Sequence, residues 1–142
     1  MDLTTALAST TPSPSQQPTL DSADTTASEA LARLVARLCD EAKAADVQVL
    51  RVLELVAYTD WFVVCSGRSD RHVRAIHDLI KDELGREGQK PLSIEGSDAA
   101  QWILMDYGSV VVHVFFEPVR EFYALERLWS EAPRLDLPVL SR

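Results

Sequence analysis

The chain of 142 residues is 46% hydrophobic and 25% charged, the usage of a single globular domain that can bury about two thirds of its unfolded surface without a disulfide or a structural metal. Its 22 acidic residues outnumber 14 basic ones, a net charge of −8, which argues against gripping nucleic acid through phosphates and points to a basic partner. The longest apolar run, residues 61–65, falls far short of the roughly 20 residues that span a bilayer, and no basic residue precedes Arg33, so neither a membrane segment nor a secretory or transit signal is expected and the location is read as cytoplasmic.

Residues 1–26 are mostly Ser, Thr, Pro and Ala, with three Asp and no aromatic residue, and cannot bury enough apolar surface to offset ordering entropy; they read as a disordered tail. Thr26 followed by Glu29 forms a capping-box pattern ahead of Leu31, Leu34, Val35, Leu38, Cys39 and Ala42, whose spacing predicts an amphipathic helix. Residues 47–53 predict a strand, and the unbroken apolar run 61–65 a central strand covered on both faces, ended by Ser66 and Gly67. Ser69 or Asp70 caps a second helix bearing Val73, Ile76, Ile80 and Leu84, with Gly85 as its C′ residue. A short strand at 92–95 and two more at 101–106 and 110–116 follow, the last two joined by a tight turn at Tyr107 and Gly108. Pro118 opens a final helix carrying Val119, Phe122, Leu125, Leu128 and Trp129, stopped by Pro133 and Pro138. The order predicts one α/β (α+β) domain over residues 27–133, a mixed sheet of about five strands flanked by helices, with a flexible tail at 134–142.

Chemistry-bearing motifs are sparse. Cys39 and Cys65 each sit within an apolar pattern without a second Cys or His at metal spacing, and read as reduced core residues. His72 and His77 are five apart on a helix and so face different ways, which excludes a helical zinc site. Cys65-Ser66-Gly67 lacks the frame of a nucleophile elbow, and no phosphate-cradling glycine loop occurs. Asp60, Glu95 and Asp106 lie at strand ends, with His113 on the neighbouring strand; such carboxylates can hold magnesium and a phosphate, yet each has a turn or cap role, and no Asp-x-Asp pair appears. Neither a catalytic residue, a metal nor a cofactor is assigned.

The hairpin carries more information. A two-residue loop at Tyr107 and Gly108 puts Asp106 opposite Ser109, Trp102 opposite His113 and Phe115 on the diagonal. Trp102, Leu104, Val111, His113 and Phe115 then share one face, and Ile103, Val110, Val112, Val114 and Phe116 the other. Both faces are apolar. The first holds the Trp, His and Phe that favour protein interfaces, so it is either core or a docking patch.

Five segments in order bear on that choice: Thr59-Asp60-Trp61-Phe62-Val63-Val64-Cys65-Ser66-Gly67; Arg71-His72-Val73-Arg74-Ala75-Ile76; Glu95-Gly96; Trp102-Ile103-Leu104-Met105-Asp106-Tyr107-Gly108-Ser109-Val110-Val111-Val112-His113-Val114-Phe115; and Arg120-Glu121-Phe122-Tyr123-Ala124-Leu125-Glu126-Arg127-Leu128-Trp129. Together, over about residues 46–133, they resemble the ribosomal silencing factor (RsfS, Iojap) family. The resemblance implies a nucleotidyltransferase-like domain without established catalysis. It further implies binding to large-subunit ribosomal protein L-fourteen, a block on small-subunit joining that slows translation when nutrients are scarce, and a link to large-subunit maturation. By the same resemblance the docking surface includes Trp102 and Phe115, to which the face pattern adds Leu104 and His113. Trp61 replaces the usual Tyr, and Pro118 and Val119 stand where the family more often has polar residues. Two other readings stay open: an assembly factor for the large subunit, and a nucleotide-handling enzyme using Asp60, Asp106 and His113. Little direct nucleic-acid contact is expected, and whether the free protein pairs with itself through the same patch is left open.

Overall fold

A computed structural model of the protein describes residues 16–123, 130 and 132–135, with side chains for 26–121, 130 and 132–135. Helix α1 (Gln16–Glu41) leads into strand β1 (Ala45–Arg51), followed by β2 (Trp61–Gly67), α2 (Asp70–Arg86), β3 (Ser93–Glu95), β4 (Trp102–Asp106), β5 (Val110–Phe116) and α3 (Glu117–Tyr123). The expected positions Leu125, Leu128, Trp129 and Pro138, and the side chain of Phe122, lie outside the described residues, as do residues 1–15 and 136–142.

The five strands form one mixed sheet in the order β1-β2-β5-β4-β3, with β2 and β5 parallel at its centre and every other pair antiparallel. β2 is buried at all seven positions, as its apolar run requires of a central strand. The β-branched runs Val63-Val64 and Val110-Val111-Val112 suit this pleated, packed setting.

α1 and α2 both lie on one face. Ala32, Val35, Leu38 and Cys39 from α1 and Val73, Ile76, Ile80 and Leu84 from α2 close over Val49, Val63, Cys65, Ile103, Met105, Val112 and Val114. Cys39 and Cys65 are free and buried, and the contact between them together with that burial pushes the Cys39 thiol well up. Trp61 belongs to this layer, donating its indole N–H to Ser28 Oγ at 3.0 Å. His72 ties the helices at their ends: its Nδ1 accepts from the Arg68 N–H at 3.0 Å, which leaves Nε2–H to donate to the Ala42 carbonyl at 2.8 Å.

Three local expectations are corrected. α1 begins at Gln16, so Thr26 lies inside the helix rather than capping it, and the Glu29 carboxylate pairs with Arg33 one turn on, at 3.0 Å, instead of reaching back. Pro18 falls in the first turn, where its missing N–H costs nothing. α2 runs through Gly85 to Arg86; the left-handed position after it belongs to Gly88, at φ +80°. The β4–β5 turn sits at Gly108 and Ser109, because the Tyr107 N–H bonds to the Val110 carbonyl and Asp106 pairs with Val111. Asp106 Oδ1 accepts from the Gly108 N–H at 2.8 Å, and Gly108 supplies φ +90°, which explains the choice of turn. The register therefore places Trp102 opposite Phe115 and Leu104 opposite His113, two residues from the expected pairing.

Candidate protein-docking face

A slip of two residues keeps every side chain on its face, since strand side chains alternate with period two. Trp102, Leu104, Val111, His113 and Phe115 accordingly share the side of the sheet that α1 and α2 leave alone, joined there by Leu50, Phe62 and Val64. At one end this second face is closed by Val119 of α3 and by Ala132. Arg120 pins α3 there, donating from Nη1 to the Asp46 carbonyl at 2.8 Å and to Ser66 Oγ at 2.9 Å. Residues 133–135 run along the outer edge of β1, Arg51 N–H donating to the Pro133 carbonyl and Leu135 N–H to the Val49 carbonyl.

A line of aromatic rings crosses this face. Trp102 stacks on Phe115, its cross-strand partner, with centroids 4.8 Å apart and planes 26° from parallel. His113 lies beside them and meets Phe62 edge-on at 4.5 Å and 65°. Tyr58, in the loop before β2, continues the line at 6.3 Å from Phe62. The Trp102 indole N–H donates to His113 Nδ1 at 3.2 Å.

The four expected contact residues divide by depth. Trp102 and Leu104 on β4 are partly exposed, whereas His113 is 3% exposed and Phe115 fully buried. The outward side of the patch is thus made by β4, and Phe115 and His113 support it from beneath. Burial holds the His113 imidazole neutral, its pKa pushed down to about 4. Tyr58, 64% exposed, is not among the expected contact residues; its signal is an aromatic residue that with Thr59 and Asp60 leads into a central strand. Burial, then the charge of Asp106, raises its hydroxyl pKa, which places that carboxylate nearby. Glu95, paired with Leu104 across the β3–β4 ladder, and Asp106 give the patch an acidic margin.

β4 is held in position by its entry loop. Gly96 has φ +83°, and a Cβ there would collide with the Trp102 carbonyl oxygen, so the Glu95-Gly96 turn lies directly against the first residue of β4. Phe116 N–H donates to the Gln101 carbonyl at 2.9 Å, extending the hold on that end of the strand.

The alternative chemical site is less built. Asp106 is engaged in its turn, Asp60 bonds through its backbone N–H to the Ser109 carbonyl, and His113 is enclosed. Among the described residues no group of three or more His, Cys, Asp or Glu can hold a metal ion. A groove of about 270 Å³ opens at the β1 edge, lined by Arg51, Glu54, Leu55 and Pro133, and none of the three candidate residues lines it. Among the described residues no helix is long and apolar enough to cross a membrane.

Residues 25–142 match the family model described as ribosomal silencing factor during starvation. The chain is 39% identical over 109 residues to the ribosomal silencing factor RsfS of Bacillus subtilis, covering 77% of this chain and 92% of the relative. It is 38% identical over 100 residues to the mouse protein named mitochondrial assembly of ribosomal large subunit protein 1, covering 68% of this chain and 44% of that one. A crystal structure of a protein from Chromobacterium violaceum superposes with a TM-score of 0.70 at 29% identity, over 72% of this chain and 85% of that one.

Proposed function

The chain belongs to the ribosomal silencing factor family, and from that premise we propose that it represses translation from the cytoplasm by binding the large ribosomal subunit through ribosomal protein L-fourteen and blocking the small subunit from joining. The observation that carries this reading is the partly exposed pair Trp102 and Leu104 on the sheet face opposite α1 and α2, backed by Phe115 and His113. A Trp anchored on a packed ring is the kind of residue that dominates interface energetics. The net charge of −8, with Glu95 and Asp106 beside the patch, steers the protein toward a basic ribosomal protein and away from broad contact with RNA phosphates. Occupancy alone accomplishes the block, so no turnover is required and no group need act as a catalyst.

The direct test is sedimentation of the purified protein with isolated large subunits, isolated small subunits and joined ribosomes. Retention on large subunits only, with fewer joined particles, is expected; equal retention on both subunits contradicts it. A second reading, an assembly factor, is favoured by the relative named for assembly of the mitochondrial large subunit. Both duties can use one docked position, and they separate when the protein is depleted: precursor large particles accumulate under the second reading and mature ones persist under the first.

A further inference from the structure

We propose that His113 is a positioning residue for docking: by accepting the Trp102 indole N–H from beneath, it lets Trp102 offer only ring hydrocarbon to an apolar recess of the partner protein, which then needs no acceptor for it. This rests on the docking reading given above. An indole nitrogen can only donate, so the 3.2 Å contact requires the lone pair of His113 on Nδ1 and its hydrogen on Nε2. That state is the neutral imidazole, which enclosure of the ring favours. The ring cannot swing away, because it is held edge-on by Phe62 at 4.5 Å and lies 11° from the plane of Phe115. Among the described residues His113 Nε2 has no hydrogen-bond partner, so the Nδ1 contact with Trp102 is the polar interaction that the ring makes.

The consequence is one of partner chemistry. An interfacial Trp usually obliges its partner to present an oxygen to the N–H, since a desolvated donor without an acceptor opposes binding. Here that need is met within the protein before any contact. With one ring face against Phe115, the remaining surface of Trp102 is apolar, and its orientation is fixed in advance, which lowers the ordering cost of docking.

A double-mutant cycle in large-subunit binding tests this. His113→Leu is expected to weaken binding at least tenfold when residue 102 is Trp, and by less than threefold when Trp102→Phe has already removed the indole N–H while keeping an aromatic ring on Phe115. Thermal unfolding of each variant establishes that binding is read on folded protein; should His113→Leu fail to fold, His113→Phe, which keeps a ring in the layer, takes its place in the cycle. A measurement on the unaltered protein is independent of any variant: nitrogen-15 NMR is expected to show scalar coupling between Trp102 Nε1 and His113 Nδ1 across the hydrogen bond. Additive losses in the cycle, or absence of that coupling, overturn the proposal. Loss of binding in Trp102→Glu with an additive cycle removes only the role of His113, whereas unaltered binding in Trp102→Glu removes the docking face itself.

Discussion

The two faces of the sheet are built from similar strands and reach different ends. On one, α1 and α2 lie across Val63, Val112, Val114 and Ile103, and these side chains are sealed from water. On the other, the aliphatic contacts give way to Phe62, His113, Phe115 and Trp102, and the outermost of them stay partly exposed on β4. The two tryptophans make the contrast concrete. Trp61 gives its indole hydrogen to Ser28 of a covering helix and is 3% exposed. Trp102 gives its own to His113 of the neighbouring strand, so its polar group is satisfied within the sheet itself, without α1 or α2. A covered face spends its polar groups on the cover; this second face satisfies them inward and is left apolar outward.

Substitutions that erase the contrast have graded effects. Val112→Glu on the covered face carries the largest: a carboxylate with no partner in a sealed layer costs about 5 kcal/mol or more, enough to unfold a typical domain. Loss of the cooperative thermal transition by circular dichroism is the expected result. Next comes acidity. The unfolded chain protonates His113 near 6.5, while the folded ring stays neutral down to about 4; unfolding therefore takes up a proton in that window, and stability falls as pH drops from 6.5 to 4 by up to about 3 kcal/mol. Urea unfolding at pH 7, 5 and 4 measures this, and His113→Phe removes that component of the pH dependence. Ser28→Ala leaves the Trp61 N–H buried without its acceptor and is expected to cost about 1–2 kcal/mol in the same assay, with large-subunit binding unchanged. Smallest is Asp106→Asn. Asn keeps an oxygen for the Gly108 N–H, so stability should change by about 0.5 kcal/mol or less, and binding should stay within a few fold, as the proposed block by occupancy requires.

Much of this arrangement was legible in the chain because it follows from periodicity. The four apolar positions of α2, at Val73, Ile76, Ile80 and Leu84, are the four that are buried. The strand run starting at Trp61 is the central strand, and alternation alone separates Trp102 from Ile103. What periodicity does not encode is where an element stops or which two residues make a turn. Thr26 and Glu29 imitate a cap, while the helix is carried back to Gln16 and Glu29 is taken up by Arg33. The hairpin turn moved one residue along because Asp106 could fold back on Gly108, a side-chain bond that outweighs a dipeptide preference. Depth within the second face was also hidden: Phe115 and Trp102 carry the same pattern, and only the order β2-β5-β4 puts β5 inside and β4 toward the edge.

The central claim is that the Trp102 face is a docking surface and the Val112 face is core. Cosedimentation of Trp102→Glu with isolated large subunits, alongside its thermal unfolding, tests this most directly. The account predicts a cooperatively folded protein whose large-subunit binding falls at least a hundredfold, because a central aromatic anchor is lost and a charge must be desolvated. A Trp102→Glu protein that unfolds as Val112→Glu does, or one that folds and still binds large subunits as tightly as the unaltered chain, would contradict it.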